Sequence, residues 1–465
     1  MENLERKSQL AWDKYDDESL KQVFRFADDY REFMSKAKTE RKCAAEIIRL
    51  AKISGFRNLD EIIKSNGRLK AGDKVYSNNR DKAIVLYVIG EEDIENGLAI
   101  LGAHIDSPRL DLKQNPLYED SDLALLKTHY YGGIKKYQWV SIPLAMHGVI
   151  ILENGQKIEV SIGEDDNDPV IGISDLLPHL AKDQMKKTMD EGIEGEDLNI
   201  LAGSIPVKDK DAKERVKKNI LKLLNEKYNI CEEDLVSAEL EIVPAGKARD
   251  YGLDRSMIMA YGHDDRVCSY TSFRAIAELD NSKKTLACIL VDKEEIGSVG
   301  ASGMHSKFFE NTLAEIISLK EGYSDIKLRR CLTGSKMLSS DVSAAHDPNY
   351  PSVSDKMNTA YLGKGIAFNK YTGSRGKGGC NDANPEFIAE IRRIMNKNGV
   401  TWQTAELGKV DQGGGGTIAY IMANYNMDVI DCGVAVQNMH APWEVASKAD
   451  IYEAVKGYTA FLKEI

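Results

Sequence analysis

Paired cysteines, a basic excess and a membrane-length apolar run are all missing from this chain of 465 residues. Its seven cysteines, Cys43, Cys231, Cys268, Cys288, Cys331, Cys380 and Cys432, are scattered and odd in number, and none forms a Cys-x-x-Cys pair. That pattern excludes a disulfide framework and a thiolate zinc site, and it fits small buried apolar residues in a reducing compartment. Any metal would be held by histidine and carboxylate. A net charge of −11 leaves no basic face for nucleic acid or an anionic membrane surface. The longest apolar stretch, residues 139–152, falls short of the ~20 residues of a membrane helix and contains Pro143, His147 and Gly148. The opening residues, Met1-Glu-Asn-Leu-Glu-Arg-Lys7, are charged and lead into no apolar core, so no secretory leader is read and a cytoplasmic protein is expected. There is also no Gly-x-Ser-x-Gly elbow, and no Lys-Ser/Thr follows the four glycines at 413–416 to make a phosphate loop.

What is present is an ordinary soluble composition, 42% apolar and 29% charged, over a length that calls for two or three domains. Residues 16–53 carry apolar positions at three- and four-residue steps and are expected to be helical up to Gly55. Residues 83–89 and 98–101 are expected as buried strands. Between about 111 and 243 the character changes. An Asn154-Gly155 hairpin signal sits between alternating strands, followed by a charged amphipathic helix over 208–224. From Met257 onward strands and helices alternate: strands at 257–261, 286–291, near 337, at 402 and at 429–430, and helices from 266, over 301–318 and 384–395, from 417 and from 449. That rhythm predicts an α/β fold with a largely parallel sheet, interrupted by a β-rich domain. The expected boundaries are 1–107 and 245–465 for the α/β domain and 108–244 for the inserted one.

Sites in open α/β sheets form beyond the carboxyl ends of strands. Five predicted strand ends carry candidates: Gly102-Ala-His-Ile-Asp106, Gly262-His-Asp-Asp-Arg266, Glu294-Glu295, Ser339-Ser-Asp341 and Gln437-Asn-Met-His440. His104 and Asp341 would serve one divalent ion and Glu295 and His440 another, with Asp264 bridging the two. Zinc fits this donor set best, with cobalt or manganese as alternatives. Asp106, two residues beyond His104, would orient the imidazole. Neighbours on extended backbone point to opposite sides, which leaves Glu294 free to take a proton from water. His263 is expected not to be a ligand. For residues 413–416, Gly414 and Gly415 included, two readings stand: a flexible loop, or backbone N–H groups that approach a substrate.

Together these segments, with Glu294-Glu-Ile-Gly297, His346-Asp-Pro-Asn-Tyr350 and Met439-His-Ala441, resemble the aspartyl aminopeptidase and vacuolar aminopeptidase I family of two-zinc exopeptidases over essentially the full length. The resemblance implies that the α/β part is a three-layer catalytic domain interrupted by a dimerisation domain, and dimers assembled into a tetrahedral dodecamer. It implies ligands His104, Asp264, Glu295, Asp341 and His440, and Glu294 as general base. It also implies that His179, in Leu177-Pro-His-Leu-Ala181, reaches the active site of a partner subunit. One departure concerns substrate choice. Acid-selective relatives carry a lysine where this chain has Ala367, flanked here by Lys364 and Lys370. The expected function is removal of the N-terminal residue from peptides with a free amino group. The rivals are another two-metal hydrolase, such as a carboxypeptidase, deacylase or phosphodiesterase, and a non-catalytic self-assembling scaffold.

Overall fold

The structure, a computed structural model, describes residues 4–5 and 9–465. Most of the charged opening stretch therefore lies outside the described residues. Two compact units divide the chain: Met1–Asp106 with Ala248–Met439 and Glu444–Ile465, and Ser107–Lys247 with His440–Trp443.

A nine-stranded sheet organises the first unit. Its order is Arg57–Asn58, Lys74–Asn79, Ala83–Val88, Leu286–Val291, Ala99–His104, Lys336–Ser340, Asp428–Gly433, Ile366–Asn369 and Trp402–Thr404. The four central strands, from Leu286–Val291 to Asp428–Gly433, run parallel, while antiparallel pairs join at the flanks. The sheet is thus parallel at its centre. Every residue of Ala83–Val88, Ala99–His104 and Leu286–Val291 is buried, which is why these strands appear in the sequence as continuous apolar runs rather than alternating ones.

Alternation along the strands splits the core in two. Leu101, Cys288, Leu290, Leu338, Ile430 and Cys432 pack with residues of the helices Asp17–Lys36, Glu40–Ile53, His263–Ala277 and Lys448–Glu464. Ile100, Ala287, Ile289, Met337 and Val429 pack on the other side with Phe308–Glu321, Asp325–Gly334 and Ala419–Ala423. Each such aliphatic side chain, fully withdrawn from water, contributes roughly 1.5–3 kcal/mol.

The helical stretch expected over 16–53 is two helices. Asp16 accepts from the Ser19 N–H at 2.8 Å and starts Asp17–Lys36, whose buried stripe is Val23, Phe26, Ala27, Tyr30, Phe33 and Met34. Thr39, on extended backbone, accepts from the Lys42 N–H and starts the second helix. The apolar period runs through the break, so only the capping threonine marks it. The helix expected over 301–318 begins later, at Phe308, because the preceding residues form turns. Strand Met257–Ala260 does not join the large sheet. It lies in a separate five-stranded sheet with Arg249–Tyr251, Glu444–Ser447, Ala435–Gln437 and Ser343–Ala344.

The second unit is a six-stranded sheet, ordered Lys157–Ile162, Leu144–Ile151, Ala238–Pro244, Arg109–Asp120, Leu123–Tyr131 and Ile200–Gly203, and its paired strands are antiparallel. Gly155, at φ 83°, turns the expected hairpin between the first two of these strands. The charged helix spans Arg215–Tyr228, later than the expected 208–224, and ends at Asn229 in the left-handed conformation. No helix among the described residues is long and apolar enough to cross a membrane.

Candidate active site and metal centre

Three strand ends of the large sheet converge on one imidazole. His104 closes the Ala99–His104 strand, and its ring Nε2 lies 3.2 Å from Asp264 Oδ1, 3.8 Å from Glu294 Oε2 and 4.0 Å from Asp341 Oδ1. Glu295 joins the same cluster, with its ligand atom within 4.8 Å of those of His104 and Asp264. The opposite ring nitrogen, Nδ1, faces only acceptors on Asp106: the carbonyl oxygen at 3.1 Å and Oδ1 at 3.3 Å. A nitrogen between two acceptors carries a proton, so Nε2 is the ring atom turned towards the carboxylates; without metal it shares a proton with them, and a cation that displaces that proton would bind there.

Asp106 does more than orient the ring. Its two oxygens accept the backbone N–H groups of Glu294 and Glu295, each at 3.2 Å, so one buried carboxylate fixes both the imidazole and the glutamate pair. That pair is not extended, as the sequence had suggested. Glu294–Ile296 is a single 3-10 turn entered through Lys293 at φ 70°. Successive side chains on such a turn diverge by about 120° rather than 180°, and both glutamates reach the cluster.

Asp264 arrives by an unexpected route. Its strand, Met257–Ala260, belongs to the small sheet, and the Asp264–Asp265 peptide is cis. The Asp264 N–H donates to buried Glu444 at 3.0 Å. Asp265 Oδ2 accepts from the His104 N–H at 3.4 Å, and Ser269 Oγ donates to the His104 carbonyl at 2.6 Å. Glu444, Asp265 and Ser269 were not singled out from the sequence, since nothing in their local spacing distinguishes them. His263 is turned away from this chemistry: its nitrogens meet the Tyr30 hydroxyl at 2.7 Å and the Ile258 carbonyl at 3.1 Å.

The cluster is electrostatically unusual. Burial alone would lower the His104 pKa, but Asp106, Asp264 and Glu294 override it and hold the imidazolium well above its ordinary range. Burial, reinforced by the Asp265 carboxylate, pushes Asp341 well up, and burial does the same to Asp265. Asp292, at the end of the Leu286–Val291 strand, is raised to about 6 by burial and by Glu40 and Asp106. So many desolvated acids around one imidazole are costly without a compensating cation. The donor set of imidazole and carboxylate suits a divalent metal such as zinc.

The remaining expected residues fall elsewhere. His440 belongs to the second unit, where its Nδ1 donates to the Gly133 carbonyl at 2.8 Å. His179 is exposed in an irregular segment of the second unit. Gly414 takes φ 123°, and a side chain there would strike the Gly373 carbonyl, while Gly415 has open neighbours except Leu407. Ala367 is fully buried in a small cluster with Ala360, Ala405 and Ala435.

A family model described as aminopeptidase I zinc metalloprotease (M18) matches residues 33–462. The chain belongs to the M18 family. It is 67% identical over 452 residues, 97% of each chain, to a probable M18 family aminopeptidase 1 of Clostridium acetobutylicum. The solved aminopeptidase I from that organism matches with a TM-score of 0.93 and 63% identity, covering 99% of this chain and 100% of the other. A Saccharomyces cerevisiae chain, solved as an mApe1 dodecamer, shares the fold at TM-score 0.76 and 20% identity, over 94% of this chain and 96% of that one. This M18 protein is accordingly a zinc-dependent aminopeptidase with an α/β catalytic fold.

Burial holds the His263 pKa down to about 4, against the ordinary 6.5. The unfolded chain therefore takes up a proton between those values and the folded chain does not, so stability is complete above pH ~6.5 and is lost as pH falls towards 4. The expected loss is up to ~3 kcal/mol. Between pH 6.5 and 4 the melting temperature of chelated His263→Gln should gain on that of chelated wild type as pH falls; a constant difference between the two would remove His263 from the acid sensitivity.

Proposed function

We propose that this M18 aminopeptidase works with two metal ions, for which His104, Asp264, Glu295, Asp341 and His440 would supply the ligands. The observation that carries the reading is the orientation of His104, whose protonated Nδ1 is fixed by Asp106 while Nε2 faces Asp264, Glu294 and Asp341. Bound zinc supplies Lewis acidity to the scissile carbonyl and lowers the pKa of water. His440 enters by its Met439-His-Ala441 motif.

Glu294 is the proposed general base. Its carboxylate takes the proton from the attacking water and returns it to the leaving amine, while Asp106 keeps its backbone in place. Gly414 and Gly415 are proposed to lie along the peptide, and His179 to act in a partner's site. The yeast relative solved as a dodecamer supports a dodecamer for this chain as well, and its assembly from dimers is proposed with it. A soluble cytoplasmic enzyme is proposed. Ala367, enclosed by alanines, offers no cation to an acidic side chain, and nearby Lys364 and Lys370 are engaged with the Tyr361 ring and Asp382.

The test is a panel of aminoacyl chromogenic substrates, free and N-blocked, assayed before and after chelation and zinc re-addition. Free amino groups should be required, neutral residues should outpace acidic ones, and chelation should abolish turnover reversibly. Cleavage of N-blocked substrates would favour a carboxypeptidase or deacylase instead.

A further inference from the structure

Below the proposed ligands lies a second row of side chains that the reaction as described does not use. Strand pairing sets Gly102 beside Ser339, Ser339 beside Asp431 and Asp431 beside Asn369, across four neighbouring strands. Two residues further along, the same strands lead to His104, Asp341 and Gly433; a side chain on Gly433 would come within 1.9 Å of the Asp341 carbonyl. The lower row therefore sits one strand repeat, about 6.6 Å, beneath the upper one. It is polar where the sheet interior should be apolar. Asp431 is 1% exposed and Ser339 fully buried. Asp431 Oδ2 and Ser339 Oγ have no hydrogen-bond partner among the described residues. A buried carboxyl held by so few partners is a poor structural choice.

The other oxygen, Asp431 Oδ1, accepts from the Thr417 hydroxyl at 2.5 Å. Thr417 closes the glycine-rich stretch 413–416, and its Oγ1 also accepts the Ala419 N–H at 3.2 Å. Next along, Ile418 packs 3.3 Å from where a Gly102 side chain would begin. Residues 417 and 418 thus lie across the lower row. The short helix Ala419–Ala423 then leads away towards Met337 and Val429, deeper in the sheet, so the chain before Thr417 runs the other way, towards the strand ends that carry His104 and Asp341. The glycines pack tightly there: a side chain on Gly413 would meet the Leu407 carbonyl and one on Gly414 the Gly373 carbonyl. Glu294 adds to the burial that raises the Asp431 acid to about 7, so the two carboxyls lie within electrostatic reach.

We propose that Asp431 and Thr417 are positioning residues for peptide hydrolysis: their hydrogen bond anchors the glycine-rich loop over the metal cluster in the arrangement that accepts substrate. This rests on the reading of His104, Asp341 and Glu294 as the reacting site. Release of the loop lowers the fraction of enzyme competent to bind, which weakens apparent substrate affinity without altering the reacting groups.

The test compares Thr417→Val, Thr417→Ser and Asp431→Asn in the full-length, zinc-loaded enzyme, with KM, kcat, zinc content and melting temperature measured for each. Thr417→Val removes the hydroxyl at nearly constant volume. It should raise KM by about tenfold to a hundredfold, the worth of a hydrogen bond to a carboxylate. Its kcat should stay within about threefold of wild type and its zinc content should be unchanged. Thr417→Ser, which keeps the hydroxyl, should return KM to within about twofold of wild type. Asp431→Asn should also raise KM, and it carries the test alone if Thr417→Val does not fold. An unchanged KM in Thr417→Val, a Ser variant as impaired as Val, or a joint loss of kcat and zinc would each overturn the proposal. Glu294→Gln separates the two ideas, since full activity there removes the underlying site assignment whatever the Thr417 variants do.

Discussion

Glu294→Gln should bind its full complement of zinc and lose turnover by a factor of about 10²–10⁴, the usual worth of a positioned proton acceptor. The amide keeps the size and most contacts of the carboxylate but cannot take the proton of the attacking water. The backbone N–H of residue 294 would still donate to Asp106, so the turn that carries Glu295 stays in place. One negative charge also leaves a cluster in which Glu294 helps to raise both His104 and Asp341. The metal-free variant loses an attraction to His104 and a repulsion of Asp341, so its melting temperature should stay close to that of wild type. Zinc content by elemental analysis, steady-state rates and melting temperature decide the matter together. A fully active variant would remove Glu294 from the chemistry; an inactive one that has lost its zinc would make it a ligand instead.

Asp264→Ala has the opposite signature. Asp264 shares the cluster with His104 and Glu295 on one side and with Asp265 and Asp341 on the other, so no other carboxylate stands in both groups. Its removal should weaken metal binding by more than the 10–100-fold that follows loss of a group which merely orients a ligand. Activity should fall with it. Stability gives a second readout, because a metal that binds only the folded chain stabilises by mass action. Wild type should melt lower after chelation and recover on addition of zinc, while Asp264→Ala should barely respond to either treatment. An Asp264→Ala protein that keeps zinc and a chelator-sensitive melting point would refute the bridging assignment.

Much of the central machinery is legible along the chain because strand ends are local. His104, Glu294 with Glu295, and Asp341 each follow an apolar run of the large sheet, and a buried parallel strand leaves that mark in any sequence. Met257–Ala260 is equally apolar but pairs in the small sheet, as does Ala435–Gln437 ahead of His440. Nothing in a short strand's composition says which partner it hydrogen-bonds. The turn at Glu294–Ile296 was likewise hidden, because its stabilising partner, Asp106, lies 188 residues away.

The residue types and motifs by themselves determined the α/β class, the β-rich interruption, the carboxylate and histidine donor set and the family. These properties are carried by periodicity and by short contiguous patterns. Only the tertiary structure decided that Asp106 serves the imidazole and both glutamates at once, that Glu444 and Asp265 support Asp264 and His104, and that Asp431 lies one row beneath the cluster in contact with Thr417. Each of these depends on strand register, which brings distant residues within hydrogen-bond reach and leaves no trace in local spacing.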